Sequence, residues 1–118
     1  MSEKEQIQSF ITELRRGSLT LAVLACLEQP HYGYALLQTM QEKNIEIEAN
    51  TLYPLLRRLE SQGLLLSDWN TSESRPRKFY TVSEKGRQVY DELMAEWEKM
   101  RNSIDSICGR GEPDGSTD

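Results

Sequence analysis

The sequence predicts a mainly α-helical fold that includes one small β-hairpin. Apolar residues recur at helical spacing in five segments of the chain. Two short segments rich in apolar, aromatic and β-branched residues, LLLSDW and RKFYTV, flank the polar loop NTSESRP, which is the pattern of an antiparallel hairpin. A chain of 118 residues can bury one modest core and is too short for two, so we expect one globular core.

The N-terminal segment carries two apolar stripes, one on each side of Gly17. The first stripe consists of Ile7, Phe10, Ile11 and Leu14. Its spacing predicts a helix of about three turns. Ser18 can cap a second helix that continues to Leu27. The sequence leaves open whether Gly17 breaks the chain into two helices or lies within one long helix.

The stretch NTLYPLLRRLESQGLL, residues 50–65, predicts a helix and both of its ends. It follows a turn, EQPHYGY, and a short helix from Tyr34 to Met40. One buried stripe is formed by Leu52, Leu55, Leu56 and Leu59. Pro54 is tolerated in a first turn, so we expect the helix to begin close to Asn50 or Thr51. Gly63 is placed to end it.

The C-terminal segment predicts a long helix, capped by Ser83 and running to Cys108. Its apolar positions are Leu93, Trp97, Met100, Ile104 and Ile107. Their spacing is that of a coiled-coil seam. At 1.5 Å per residue the helix is about 39 Å long, which exceeds a core of this size. The predicted organisation is therefore a domain of helices and a hairpin at residues 1–82, a dimerisation helix at 83–108 and a disordered tail at 109–118.

Composition argues against an enzyme and against a membrane protein. One histidine and two distant cysteines leave little from which to build a catalytic site or a metal site, so neither is expected, and no cofactor is predicted. The chain opens with MSEKEQIQ, which has no apolar run of a signal peptide. The apolar stretch LTLAVLACL is far shorter than the ~20 residues that span a bilayer. We expect a cytoplasmic protein.

The charge distribution indicates a polyanionic partner despite the net charge of −5. Residues 49–90 carry seven Lys or Arg and four Asp or Glu, a local balance of +3. Helices followed by a hairpin with a basic tip are the order of a winged helix-turn-helix, whose last helix before the hairpin enters the DNA major groove. The leucine stripe leaves Asn50, Thr51, Tyr53 and Arg57 outward. The alternative for this face is solvation, with an ion pair between Arg57 and Glu60.

Several separate motifs make the chain resemble the PadR family of transcriptional regulators, in its short form. These motifs are RRGSLTLAVLACL, HYGYAL, NTLYPLLRRLESQGLL, SRPRKFYTVSEKG and a single Trp in the last helix. The resemblance implies a dimeric winged-helix repressor that binds a palindromic operator and is released by a small effector. Longer members carry a multi-helix C-terminal domain, and here one helix and a tail stand in its place.

The resemblance also assigns DNA-binding roles to individual residues. Thr51, Tyr53 and Arg57 match the recognition helix, and Arg75, Arg77 and Lys78 match a basic wing that lies over the phosphate backbone or minor groove. Tyr32 and Tyr34 match aromatic residues whose hydroxyls reach a phosphate. Two alternatives stay open: core packing for Tyr34, and a merely solubilising hairpin tip for the wing.

The last helix is expected to pack against the partner subunit, where it meets the N-terminal stripe Ile7, Phe10, Ile11 and Leu14. Trp97 lies in the middle of the seam. In a symmetric dimer its two copies can sandwich a flat effector, either apolar or cationic, or the indole simply fills the interface. Trp69, in the first strand of the hairpin, is expected in the core. The rival function is a winged-helix module for protein–protein contact without specific DNA binding.

Overall fold

A computed structural model describes residues 2–72 and 74–109 of the chain. Within these residues four α-helices and a three-stranded antiparallel sheet follow one another in an α+β arrangement. The elements are α1 (Glu3–Cys26), β1 (His31–Tyr32), α2 (Gly33–Glu42), α3 (Ala49–Ser61), β2 (Leu65–Asn70), β3 (Arg77–Val82) and α4 (Glu84–Ile107). The order is that of a winged helix-turn-helix, as predicted, with α3 as the helix that precedes the hairpin.

Helix α1 is continuous through Gly17, which settles the question that the sequence left open. A capping box starts the helix: the Ser2 hydroxyl accepts from the Glu5 N–H at 3.1 Å, and the Glu5 carboxylate accepts from the Ser2 N–H at 2.9 Å. Hydrogen bonding to the carboxylate from the Ser2 backbone N–H, and from the Ser2 side chain, lowers the pKa of the Glu5 carboxyl. A single exposed glycine reduces helix stability by only about 1 kcal/mol. The helical turns on either side of Gly17 offset this cost, so the helix continues through it.

Helix α3 begins at Ala49, one residue before the predicted start close to Asn50 or Thr51. Ala49 is its first residue and Glu48 its N-cap, so Pro54 is the sixth residue and lies in the second turn. The predicted start is thus confirmed to within one residue, and Pro54 lies just after the first turn. Pro54 has no N–H to bond the Asn50 carbonyl, so the helix loses a single bond at its exposed face. Gly63, with a φ of 82°, ends the helix as predicted.

The sheet contains one strand that the sequence did not predict. β1 is only two residues long and pairs antiparallel with β3, with His31 opposite Tyr80 and Tyr32 opposite Phe79. The predicted hairpin is confirmed by β2 and β3, which pair from Leu65 opposite Val82 to Asn70 opposite Arg77. The strand order is β1-β3-β2, so β3 lies in the middle and β2 forms an edge.

One apolar core holds α1, α2, α3 and the sheet together. Its fully buried side chains are Val23, Leu24, Leu27, Leu36, Met40, Leu52, Leu56, Leu59 and Leu65. Three of the four leucines predicted for the α3 stripe are among them, and Leu55 is partly buried against the cluster. The inner face of α3 is thus fixed by packing, which leaves its opposite face for contact with other molecules.

Helix α4 leaves this core after its first turns. The Ser83 hydroxyl accepts from the Gly86 N–H at 3.0 Å and donates to the Gly63 carbonyl at 2.6 Å, which joins the helix start to the end of α3. Val89 and Tyr90 pack partly on the core, whereas the seam from Leu93 onward is exposed. The predicted long helix is confirmed. Residues 110–118, most of the predicted tail, lie outside the described residues.

Candidate nucleic-acid interface

The N-terminal half of α3 presents a polar surface away from the core. Asn50, Thr51 and Arg57 are exposed, and the leucine stripe lies on the other side of the helix. The first N–H groups of a helix and short polar side chains next to them are good partners for phosphates and base edges. This surface therefore has the chemistry and the exposure that a recognition helix requires.

Tyr53 differs from the other predicted recognition residues because it is only partly exposed. Its ring packs against the start of α2, where a Cβ added at Gly33 would lie 2.9 Å from the Tyr53 Cε1 atom. Gly33 is therefore required by close packing between α2 and α3. Tyr53 fixes the contact between the two helices and still borders the outward face of α3.

At the outer end of the hairpin, Arg77 lies beside Tyr32 of β1 and Tyr34 of α2. The Arg77 guanidinium donates to the Tyr34 hydroxyl at 2.8 Å, and its Cζ atom is 5.8 Å and 5.5 Å from the ring centroids of Tyr32 and Tyr34. The two rings are parallel within 4°, with centroids 6.0 Å apart. Tyr34 is 49% exposed, so core packing, the alternative for this residue, is wrong.

Tyr32 connects β1 to the other two strands. Its hydroxyl accepts from the Asn70 amide at 2.6 Å, and its ring meets Phe79 edge-on, with centroids 6.3 Å apart. Asn70 and Arg77 are cross-strand partners at the outer end of the hairpin. Tyr32 and Tyr34 therefore hold the wing at a defined angle to α2, in addition to presenting hydroxyls near its surface.

A second set of contacts joins the wing to α3 on the other face of the sheet. Lys78 Nζ lies 3.3 Å from a Glu60 carboxylate oxygen and 5.4 Å from the centroid of the Tyr80 ring. The Ser67 hydroxyl donates to the same carboxylate. The hydrogen bond from Ser67 and the nearby Lys78 hold the pKa of the Glu60 carboxyl below its usual range. Glu60, a possible partner for Arg57 on sequence grounds, is engaged by the wing instead.

The remaining predicted wing residue, Arg75, is exposed in the loop between β2 and β3. Trp69 lies two residues before that loop and is 57% exposed. The expectation that Trp69 belongs to the core is therefore wrong. The hairpin pattern correctly predicted that Trp69 lies in a strand. The core, however, ends at Leu65 and Tyr80 and does not extend to the outer end of the wing.

The residues predicted for the subunit interface form exposed apolar surface on both long helices. On α1, Ile7, Phe10 and Leu14 are exposed and Ile11 is partly buried. On α4 the exposed set is Leu93, Trp97, Met100, Ile104 and Ile107. The Arg101 guanidinium lies over the Trp97 ring, with its Cζ atom 5.6 Å from the centroid. Helices α1 and α4 pack against each other.

Among residues 2–72 and 74–109, no cluster of three or more His, Cys, Asp or Glu side chains is arranged to hold a metal ion. No helix in this part of the chain combines the length and the apolar character needed to cross a membrane. His31 lies in β1, with its Nδ1 atom 2.8 Å from the Gln29 carbonyl oxygen. Burial raises the pKa of the Cys26 thiol.

Comparison with known proteins identifies one family. The model of the transcriptional regulator PadR-like family matches residues 21–92. The crystal structure of a PadR family transcriptional regulator from Eggerthella lenta is similar with a TM-score of 0.84 and 45% identity, over 89% of this chain and 94% of that one. A PadR-like transcription factor from Bacteroides fragilis gives a TM-score of 0.72 and 31% identity, over 84% and 98%. A transcriptional regulator of Mycobacterium tuberculosis is 28% identical, over 78% and 87%.

Proposed function

Because the chain belongs to the PadR-like family of transcriptional regulators, we propose that it is a cytoplasmic repressor that binds a palindromic operator as a homodimer and is released by a small planar effector. The observation that carries the proposal is the exposed polar N-terminal half of α3 beside a wing that carries three cations. In this proposal residues 1–82 bind DNA and residues 83–108 dimerise.

The polar face of α3 supplies sequence recognition. Asn50 and Thr51 stand at the helix N-terminus, where they reach base edges and phosphates, and Arg57 is long enough for a bidentate contact to guanine. Tyr53 packs on Gly33 and orients this face relative to α2. Specific reading of bases is supported by the mixture of amide, hydroxyl and guanidinium groups, since bulk attraction to phosphate needs only cations.

The wing supplies contacts to the backbone. Arg75 is exposed, and Arg77 is positioned by its contacts with Tyr32 and Tyr34. Lys78 is partly exposed, with 32% of its side chain accessible, and shares Glu60 with Ser67. A phosphate near Lys78 competes with Glu60 for the ammonium group. We therefore assign the larger share of backbone binding to the two arginines, and a smaller share to Lys78 and to the hydroxyls of Tyr32 and Tyr34.

The dimer is supported by the apolar surface that the monomer leaves uncovered. Phe10 is 65% exposed and Ile107 is 83% exposed, and most other residues of the two apolar stripes on this side of α1 and α4 are exposed as well. Soluble monomers rarely expose apolar patches of more than a few hundred Å². A symmetric dimer formed through this side presents two copies of α3, which suits half-sites about one helical turn, ~34 Å, apart.

Trp97 is the proposed effector contact, because it is exposed in the middle of the seam. The Arg101 guanidinium already lies against the ring, so the indole face attracts planar or cationic groups. A flat effector takes the place of Arg101 when it binds between the two Trp97 side chains of the dimer. If the indole only fills the interface, planar ligands leave its fluorescence unchanged.

Selection of bound duplexes from a random DNA pool at physiological salt tests the proposed function. A two-fold-symmetric motif with half-sites about one helical turn apart is the expected result. Retention without enrichment, with a steep dependence on salt, indicates non-specific DNA binding instead. No retention at any salt concentration contradicts DNA binding and favours a protein-interaction module.

A further inference from the structure

We infer that Trp69 is an additional DNA-contacting residue, which packs its indole ring against the deoxyribose-phosphate backbone in the cleft between the wing and α3. This inference rests on the proposed function and adds to it a contact that does not depend on DNA sequence. The sequence pattern did not indicate such a role. The orientation of Trp69, its exposure and the charges around it support this role.

The register of the hairpin fixes the face on which Trp69 lies. Trp69 is directly opposite Lys78, and cross-strand partners share a face of the sheet. Two residues earlier on the same face, Ser67 donates to Glu60 of α3, and Lys78 forms an ion pair with that glutamate. The face of Trp69 is therefore the one that looks toward α3. It continues the buried face of Leu65 beyond the end of the core.

The exposure of Trp69 is large for a residue of this type. Its 57% exposed surface lies at the outer end of an edge strand, next to the loop that carries Arg75. Tryptophan is strongly enriched where one molecule binds another, because its ring buries a large area with few rotatable bonds. An indole that packs on neither the core nor α4 is best explained by a partner that covers it.

The charges around Trp69 favour a polyanion as this partner. Lys78 is its cross-strand neighbour and shares its charge with Glu60, and Arg75 is exposed in the loop that follows the strand. The acidic neighbour in sequence, Asp68, points to the other face of the sheet, where its carboxylate accepts from the Trp69 backbone N–H at 2.8 Å. An indole beside Lys78 and close to the loop that carries Arg75 suits the sugar-phosphate backbone, which offers apolar deoxyribose faces next to anionic oxygens.

The contact has two parts. The ring packs against the deoxyribose, and the indole N–H can donate to a phosphate oxygen. Neither part reads a base, so loss of Trp69 weakens binding to specific and random duplexes alike. Trp69 is uncharged, so its loss leaves the dependence of binding on salt concentration nearly unchanged, in contrast to the loss of a phosphate-binding cation.

The chain offers a matched control. Leu66 lies on the same strand, is also 57% exposed, and points to the opposite face because it is an odd number of residues from Trp69. We compare Trp69→Ala with Leu66→Ala in binding titrations of the full chain. The probes are a duplex recovered by selection and a duplex pool of random sequence, each titrated at several salt concentrations. Thermal unfolding verifies that both variants are folded, and Trp69→Gln replaces the alanine variant if the latter is not.

We expect Trp69→Ala to bind both probes about tenfold more weakly with an unchanged salt slope. Leu66→Ala stays within about twofold of the wild type, the range of ordinary surface substitutions. Trp69→Phe keeps most of the affinity because it retains a ring. Wild-type affinity for Trp69→Ala, an equal loss in both alanine variants, or a loss on the selected duplex alone overturns the inference. If the wild-type chain binds neither probe, the proposed function fails and this inference fails with it.

Discussion

The two ends of this molecule differ in whether their apolar side chains are buried or exposed. In the winged-helix end, the leucines of α3 face inward and Leu52, Leu56 and Leu59 are buried. In the other end, formed by the N-terminal half of α1 and the C-terminal part of α4, the apolar stripes face outward. The first end thus forms a core within one chain, whereas the second requires another surface to cover it. The following predictions test this contrast.

The largest effect is expected from a cavity in the winged-helix end. Leu56→Ala removes a fully buried side chain and should lower the free energy of unfolding by about 3 kcal/mol. The same substitution at Leu66, which is exposed on β2, should change it by less than about 0.5 kcal/mol. Urea titration followed by circular dichroism measures both. Equal values for the two variants contradict the assignment of Leu56 to the core.

A charge in the outward stripe should separate the subunits and leave each winged-helix end folded. Ile104→Glu places a carboxylate in the proposed interface of both subunits, and we expect dimer dissociation to become favourable by about 2–3 kcal/mol. Asn102→Glu adds the same charge at an exposed polar position outside the seam and serves as the control. Sedimentation velocity over a range of concentrations measures the dimer. A dimer that tolerates Ile104→Glu is held by some other surface.

Arg57 separates base recognition from general attraction to DNA. If it contacts a base, Arg57→Ala should weaken binding to the selected duplex by about 1–3 kcal/mol and binding to random duplexes by much less. Arg58→Ala, at the neighbouring exposed position in the last turn of α3, is the matched control. Fluorescence anisotropy titrations give both affinities. Equal losses on the two duplexes would assign Arg57 to the phosphate backbone.

The smallest effect concerns the ion pair between the wing and α3. The pKa of Glu60 is lowered in the folded protein, so its contribution to stability is present above its unfolded pKa, ~4.3, and is lost as pH falls through the lowered folded value. About a third of each side chain is exposed, so Glu60→Gln should reduce stability by ~1 kcal/mol or less at neutral pH.

Urea titrations across the acid range measure this difference, which should disappear at low pH, where the wild-type carboxyl is protonated. Glu98→Gln, at an exposed position on α4, should follow the wild type throughout. A constant difference between Glu60→Gln and the wild type at all pH values excludes the carboxylate charge as its cause.

Periodicity in the sequence predicted most of the winged-helix end. The leucine spacing predicted the inner face of α3, and Ser83 and Gly63 marked helix ends. Two segments rich in apolar, aromatic and β-branched residues around a polar loop predicted the hairpin. These features depend on neighbours within a few positions. β1 was not predicted, because a segment of two residues is too short to show a periodic pattern. It is a strand only because it pairs with β3.

The parts of the site that sequence did not predict depend on contacts between distant positions. Arg77 meets Tyr34 across 43 positions, and no local pattern indicates that pair. Trp69 was expected in the core because a tryptophan in a strand is usually buried, but the core ends before the outer end of the wing. The exposed seam of α4 was predictable, because its spacing was that of a coiled coil and the helix was longer than the core.

We propose that the outward apolar stripes of α1 and α4 join two chains, so that their two winged-helix ends bind one duplex together. Native mass spectrometry of the wild-type chain with a duplex recovered by selection tests it most directly, because it counts the chains in the complex. We expect two chains on each duplex, and a loss of the two-chain complex in Ile104→Glu. A complex of one chain per duplex, unaffected by that substitution, would contradict it.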